Sequence, residues 1–238
     1  MKEFFKVQTP DQLYKKLDRF APLSSEKVAI EDSLQRVLFE DVISPVNLPE
    51  FRRSTVDGFA LKAKDTYGAS ESNPAILQLA GEILMGQVSD IEVHEGEAVK
   101  VATGGMVPNG ADSVQMVEFT ESVDSQTLHV FKTLSPLENV IQIGEDVRAG
   151  EAVLHKGHLI RPQEIGLMAG IGKTDVSVFL RPRVAIISSG DEIVPIENTP
   201  SLGEIRDINR YTIFSMVQEI AGIPLFLGIA KDRFNDLK

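Results

Sequence analysis

The sequence predicts a multidomain chain of α/β and β class, in which helical segments precede a small β domain and the start of a parallel α/β domain. Helical spacing of apolar residues at the N-terminus changes near residue 51 to short, regularly spaced apolar runs. These runs stop near residue 134. A strand–helix–strand pattern begins at residue 184 and predicts the α/β part.

Two helices are expected in the N-terminal segment. Thr9 can act as the N-cap of the first helix, with Pro10 at its first position and Gln12 completing a capping box. Leu13 begins its apolar face. A second helix is predicted from residue 32 to residue 40, and its buried side would consist of Leu34, Val37 and Leu38.

The middle of the chain has the pattern of a small β domain. Its apolar runs are separated by glycine-containing turns, as expected for short strands. The runs cover residues 75–79, 98–103, 113–118 and 128–133. A helix is predicted after them, starting near Pro162 and ended by Gly170 and Gly172.

The C-terminal segment reads as a parallel α/β unit that is not complete. The apolar run 184–187 predicts a strand, Asp207 caps a helix that ends with Gly222 at C′, and residues 225–229 form a second strand. Asp232 would cap a further helix. A single strand–helix–strand unit cannot bury both faces of a parallel sheet. We therefore expect this α/β domain to be truncated at residue 238.

Composition excludes several classes of function. The 35 acidic residues outnumber the 24 basic ones, so the net charge of -11 argues against a nucleic-acid partner. There are no cysteines, which excludes disulfides, thiolate metal sites and a cysteine nucleophile. No apolar run approaches the ~20 residues needed to span a bilayer. We therefore expect a soluble, cytoplasmic protein without membrane contact.

Polar side chains cluster beside glycines at several points of the chain. Carboxylates in such turns can hold a hard cation through oxygen ligands, and the glycines let backbone N–H groups approach an anion. The same dipeptides are also ordinary turn formers, and Asp207 can act simply as an N-cap. The clusters are residues 54–58, 103–105, 144–146, 188–192 and 207–210.

Taken together and in this order, these segments resemble the molybdopterin molybdenumtransferase family, which includes the E domain of gephyrin. The resemblance covers almost the whole chain. It is carried by R-V-L-F-E-D-V-I-S-P at 36–45, S-T-V-D-G-F-A at 54–60, A-T-G-G-M-V-P at 102–108, G-E-D-V at 144–147, R-P-R-V-A-I-I-S-S-G-D-E at 181–192 and G-E-I-R-D-I-N at 203–209.

The resemblance implies a domain organisation. Residues 1–45 and 141–179 would form one elongated helical/β domain of the linker type. Residues 46–140 would be a small β domain inserted into it. Residues 180–238 would be the truncated start of a three-layer, parallel α/β domain that binds molybdopterin.

The resemblance also implies an activity and its residues. The family inserts molybdenum from molybdate into adenylylated molybdopterin and releases AMP, with Mg²⁺ as cofactor. Asp57, Thr103 and Glu192 would be catalytic. The Mg²⁺ ligands would be Asp57, Asp146, Asp191 and Glu192, and the residues that bind the pterin would be Ser189, Gly190, Asp207 and Asn209.

The partners implied by the resemblance are a second copy of the chain, in a homodimer, and the molybdopterin adenylyltransferase. Because part of the α/β domain would be missing, we expect the 238-residue chain alone to be inactive. A non-catalytic interaction or scaffold module of the same fold is the alternative. A stand-alone nucleotide-binding α/β protein is a third reading, against which the absence of G-x-G-x-x-G and P-loop motifs counts.

Overall fold

The computed structural model describes residues 8–233. Strands dominate this part of the chain, which has mixed α/β structure. Its α-helices are α1 (Pro10–Leu17), α2 (Pro162–Gly170) and α3 (Asn209–Glu219). The strands are β1 (Ser25–Ala29), β2 (Val42–Ile43), β3 (Arg53–Ser54), β4 (Gly58–Leu61), β5 (Ala75–Ile83), β6 (Glu97–Val101), β7 (Ser113–Met116), β8 (Thr120–Ser122), β9 (Thr127–Val130), β10 (Val140–Ile141), β11 (Ala152–Leu154), β12 (Asp175–Phe179), β13 (Arg183–Ser189), β14 (Ile193–Val194), β15 (Ile205–Arg206) and β16 (Ile223–Ala230).

The described residues divide into two compact units. The sheet unit consists of residues 43–153 together with 170–172. The terminal unit contains residues 8–42, 154–169 and 173–233. The three-domain division expected from the sequence, and the elongated shape of its first domain, stay predictions. No helix within residues 8–233 has both the length and the apolar character that a bilayer crossing requires.

The sheet unit is built around six strands in the order β7-β4-β6-β5-β9-β8. All neighbours are antiparallel except β5 and β6, which run parallel. Each of the four predicted apolar runs forms a strand of this sheet, so that prediction is confirmed. Successive residues of β4 enter different clusters of buried side chains: Phe59 and Leu61 pack in one and Ala60 in the other. Both clusters draw their members from residues 59–140.

The first predicted helix is confirmed and the second is wrong. The capping box of α1 forms, with Gln12 N donating to Thr9 Oγ1 at 3.3 Å and Thr9 N donating to Gln12 Oε1 at 3.1 Å. Over residues 32–40 only a 3-10 turn, Ile30–Asp32, is present. Gln35 then has a φ of +60°, which ends helical geometry. The following backbone hydrogen-bonds to distant segments instead, as in the bridge from Leu38 to Val178, so tertiary pairing overrides local periodicity.

The C-terminal α/β unit forms as predicted, with two differences at its helix. Strands β13 and β16 pair in parallel, and α3 lies between them in the chain. The C′ residue of α3 is Ala221, with a φ of +57°, and Gly222 follows it, so the assignment of Gly222 to C′ is wrong. The carboxylate of Asp207 accepts from Arg210 N at 3.1 Å, although it precedes the N-cap by one residue. The helix predicted after Asp232 extends outside the described residues.

Candidate functional site

Two of the predicted polar clusters, residues 54–58 and 103–105, lie side by side. Gly104 N donates to Ser54 O at 2.8 Å, and Ser54 N donates to Gly105 O at 3.0 Å. Gly104 has a φ of +77°, a conformation that side chains disfavour. The two loops are 46 positions apart in the chain, between Asp57 and Thr103, and only the fold joins them.

Thr103 fixes one oxygen of the Asp57 carboxylate. Its backbone N–H donates to Asp57 Oδ1 at 2.7 Å, and its hydroxyl donates to the same oxygen at 2.9 Å. Both hydrogen bonds lower the pKa of Asp57, and the one from the Thr103 backbone N–H has the larger effect. The carboxylate is therefore ionised at neutral pH. Asp57 Oδ2 has no hydrogen-bond donor among residues 8–233 and is therefore free to bind a cation or accept a proton.

Asp57 immediately precedes β4, at the point where β4 closely approaches β7. A Cβ atom added to Gly58 would lie 1.8 Å from Gln115 O on β7, which no side chain could tolerate. Val117 N donates to Asp57 O at 3.0 Å just beyond this point. The glycine after Asp57 is therefore required by the sheet, and it holds the aspartate backbone against the neighbouring strand.

Asp57 lines a pocket of about 310 Å³ on the sheet unit. Glu82 and Lys100 also line it, from partner positions on β5 and β6, and Lys100 Nζ lies 2.9 Å from Glu82 Oε1. Together the three groups carry one formal negative charge, which favours a cation or a cation-bridged anion. The rest of the wall is mostly apolar and includes Met85.

Sequence reasoning did not identify Glu82, Lys100 or Met85. No local motif marks them, because their proximity depends on the pairing of β5 with β6 and on a register shift between Leu79 and Gly81. The alternation of side chains along a strand assigns Glu82 and Lys100 each to a face of the sheet, but it does not show that the two residues are neighbours on adjacent strands.

Asp146 lies in the same compact unit but does not line this pocket. Its backbone N–H donates to Leu48 O at 3.0 Å. Its side chain is exposed and makes no hydrogen bond with residues 8–233. The carboxylate is available as a ligand, and the structure does not join it to Asp57.

In the terminal unit, the predicted residues follow the carboxyl end of β13. Gly190 N donates to Ala230 O at 3.1 Å, and a Cβ on Gly190 would lie 2.7 Å from Glu192 Oε2. The Glu192 carboxylate therefore covers Gly190. Asp191 lies nearby, with its carbonyl oxygen accepting from Lys231 Nζ at 2.9 Å.

Both carboxylate oxygens of Asp207 accept hydrogen bonds from residues of the same unit. Its Oδ2 accepts from Ser188 Oγ at 2.6 Å, and its Oδ1 accepts from Arg210 N. Both Ser188 and Asp207 are buried. The sequence marked Ser188 only as a member of the polar cluster 188–192 and did not predict its hydrogen bond to Asp207, although its position two residues after the buried Ile186 in β13 places it on the buried side of the strand. The side chains of Ser189 and Asn209 make no hydrogen bond within the described chain.

The four predicted Mg²⁺ ligands are divided between the two compact units. Between residues 8 and 233, no group of three or more His, Asp or Glu side chains is placed to hold a metal ion. Asp57 and Asp146 belong to the sheet unit, whereas Asp191 and Glu192 belong to the terminal unit. The free Oδ2 of Asp57 fits the oxygen donors that Mg²⁺ prefers, but it is a partial donor set.

The chain is similar to proteins of molybdopterin biosynthesis. A putative molybdopterin biosynthesis protein of Methanocaldococcus jannaschii is 36% identical, over 90% of this chain and 53% of its own length. The molybdopterin molybdenumtransferase of Bacillus subtilis is 34% identical, over 89% of this chain and 50% of its own length. The chain thus spans about half the length of these curated relatives.

A solved structure shares the same fold. The crystal structure of the molybdopterin biosynthesis MoeA protein from Pyrococcus horikosii superposes with a TM-score of 0.81 at 34% identity, covering 98% of this chain and 59% of that one. Residues 8–172 match the family described as the MoeA N-terminal region, domain I and II. The predicted resemblance is confirmed by this match, and the chain belongs to the MoeA family, of which it carries the N-terminal region.

Proposed function

We propose that this chain is part of an enzyme that inserts molybdenum from molybdate into adenylylated molybdopterin and releases AMP. The observation that carries the proposal is the ionised Asp57, held at Oδ1 by Thr103 and free at Oδ2 beside a pocket. The names of the family and of the relatives support the pathway. The catalytic set is Asp57, Thr103 and Glu192.

Each residue has a role that fits its surroundings. Asp57 offers its free Oδ2 to a cation or a proton, and Thr103 orients the carboxylate through its hydrogen bonds to Oδ1. Ser189, Gly190 and Asn209 would bind the pterin, whereas Asp207 would act by positioning, since its oxygens are occupied. A divalent cation such as Mg²⁺ at Oδ2 of Asp57 would neutralise the phosphate charge, with Asp146, Asp191 and Glu192 as the other predicted ligands.

The activity is tested by AMP release with molybdate and Mg²⁺. We expect none from the 238-residue chain and turnover from a version extended to the full length of its relatives. In the extended version, Asp57→Ala and Glu192→Ala should lower kcat by at least about 100-fold with little change in pterin affinity. Thr103→Ser should retain more activity than Thr103→Val, because it keeps the hydroxyl donor.

Asp124 provides a matched control. Like Asp57, its carboxylate accepts from backbone N–H groups and a threonine hydroxyl, at Gln126 and Thr127, but it does not line the pocket. Asp124→Ala should therefore leave kcat unchanged. Equal losses in the Asp57 and Asp124 variants would contradict the assigned role, and full activity in the 238-residue chain would overturn the proposed need for further residues.

We also propose a homodimer and an encounter with the molybdopterin adenylyltransferase as supplier of the adenylylated substrate. Exposed apolar side chains on α1, including Tyr14 and Leu17, support self-association because water contact with them is unfavourable. Light scattering of the chain should report twice the chain mass at micromolar concentrations. A monomer mass throughout that range would count against the dimer.

A further inference from the structure

A second pocket, of about 390 Å³, lies in the terminal unit. Its walls come from residues 21–23, 35–37, 179–182 and 220–221. None of the residues discussed above as catalytic lines it. Its volume is within the range of pockets that hold small organic ligands, about 300–1,000 Å³. Most of the lining is apolar and includes Leu23, Phe179 and Ile220.

A buried guanidinium forms part of this lining. Arg36 is 6% exposed, and its Nη2 donates to the Glu26 carboxylate and to Phe179 O. Its Nε and Nη1 make no hydrogen bond with any residue from 8 to 233. Neither nitrogen is among the fully buried polar atoms that lack a partner within residues 8–233, so water or a ligand can reach both. A guanidinium with free donors at a pocket favours an acceptor oxygen there.

A second arginine leaves the pocket with a net positive charge. Arg181 lines it, is exposed, and makes no ion pair or hydrogen bond within the described part of the chain. Glu26 offsets the charge of Arg36, so Arg181 contributes one uncompensated positive charge. This is a local exception on a chain with a net charge of -11. A single negative charge on the ligand would complement it.

The backbone is strained at two points of the same lining. Gln35 and Ala221 have φ angles of +60° and +57°, in the left-handed region that residues other than glycine rarely adopt. Neither is a glycine, and neither residue is among the predicted catalytic set. Such conformations collect at ligand sites, where the surrounding structure enforces them.

We infer that this pocket binds a small organic monoanion, a carboxylate attached to an apolar body the size of one or two rings. The carboxylate accepts hydrogen bonds from Arg36 and Arg181, and the apolar body packs against Leu23 and Ile220. A dianion such as phosphate would exceed the available positive charge and would leave the apolar wall uncovered. This site is separate from the proposed molybdenum chemistry and does not depend on it.

Isothermal titration of the 238-residue protein tests the inference with three probes. The probes are 2-naphthoate, its neutral isostere 2-naphthamide, and inorganic phosphate. We expect saturable binding of 2-naphthoate with a Kd about tenfold or more below that of 2-naphthamide, because the carboxylate adds charged hydrogen bonds. Phosphate should not compete. Absence of saturable 2-naphthoate binding, equal affinity for 2-naphthamide, or competition by phosphate would overturn the inference.

Two matched arginine variants and one variant with a larger side chain in the pocket test whether 2-naphthoate binds at this place. Arg181→Gln should raise the Kd for 2-naphthoate severalfold, whereas Arg183→Gln, an exposed residue that does not line the pocket, should not change it. Leu23→Trp should fill the cavity and abolish binding, with circular dichroism verifying that the variant is folded. Equal effects of both arginine variants, or unchanged binding to a folded Leu23→Trp protein, would refute this location.

Discussion

The carboxylate of Glu164 is almost fully buried and still ionised. Arg161 Nη2 donates to Glu164 Oε1 at 2.6 Å, and Arg161 N donates to Oε2 at 2.8 Å. Hydrogen bonds from the Arg161 guanidinium, which has the largest effect, and from the Arg161 backbone N–H and His158 lower the pKa of Glu164 to about 2, although burial alone would raise it. This carboxylate caps the start of α2 and ties it to the preceding residue, which makes the local fold sensitive to its charge.

Glu164→Gln should therefore destabilise the protein in a pH-dependent way. Because the folded-state pKa is lowered, the stabilisation is present above the ordinary value of 4.5 and is lost as the pH falls from 4.5 to about 2. Urea unfolding should show a gap between wild type and Glu164→Gln at neutral pH that narrows in this window. The exposed Glu121→Gln is the control and should show no such gap. A gap independent of pH would contradict the role of the charge.

The sequence identified single residues of the candidate site, but it did not predict the contacts between them. Glycine-flanked polar motifs singled out Asp57, Thr103 and Glu192. The contact between Asp57 and Thr103 links positions 46 residues apart, so it depends on the strand order of the sheet. Lys100 belongs to no sequence motif. It lines the pocket beside Glu82 because of the register of β5 against β6, which the sequence does not show.

At the scale of elements, local hydrogen-bonding signals predicted structure better than apolar spacing did. Capping residues marked α1, whose box forms as expected. Apolar spacing over residues 32–40 predicted a helix that is absent, because those residues pair with distant backbone. Short apolar runs between glycines gave strands correctly, since turn residues delimit them independently of burial.

The C-terminus of α3 offers a direct measurement of backbone strain. Ala221→Gly should stabilise the protein by about 0.5–1 kcal/mol. The substitution removes the free-energy cost of a left-handed alanine, and part of this gain is lost because glycine has more conformational entropy in the unfolded state. Gly222→Ala should destabilise it, because the new Cβ would lie 2.9 Å from Val217 Cγ1 and 3.0 Å from Val217 O. Thermal unfolding of both variants checks this. Destabilisation by Ala221→Gly would show that the left-handed alanine carries no net penalty.

At the scale of the whole molecule, the sheet unit packs its two buried clusters from its own residues, as far as residues 8–233 show. The buried members of the clusters that include Ala60 and Phe59 lie between residues 59 and 140, and Val56, which packs against the first cluster, belongs to the same unit. The sequence predicted a β domain here from periodicity, but the order of its strands, with β5 parallel to β6, could not be read from local patterns. Non-local pairing decides that order.

Residues 43–153 should therefore fold when expressed alone. A segment that buries its own apolar side chains keeps most of its stabilising contacts after excision. Circular dichroism should show strand structure with a cooperative thermal transition. The same fragment carrying Gly58→Ala is the control and should lose that transition, because β4 and β7 could not approach each other. A disordered wild-type fragment would show that the rest of the chain is needed.

The entrance and the exit of this unit are neighbours. Ser44 N donates to Glu151 O at 2.9 Å, and Gly150 N donates to Ser44 O at 2.8 Å. A segment whose two ends emerge together can be exchanged with little disturbance of the flanking backbone. A short loop joining Ser44 directly to Glu151 would therefore leave these two residues about as close as the native chain holds them.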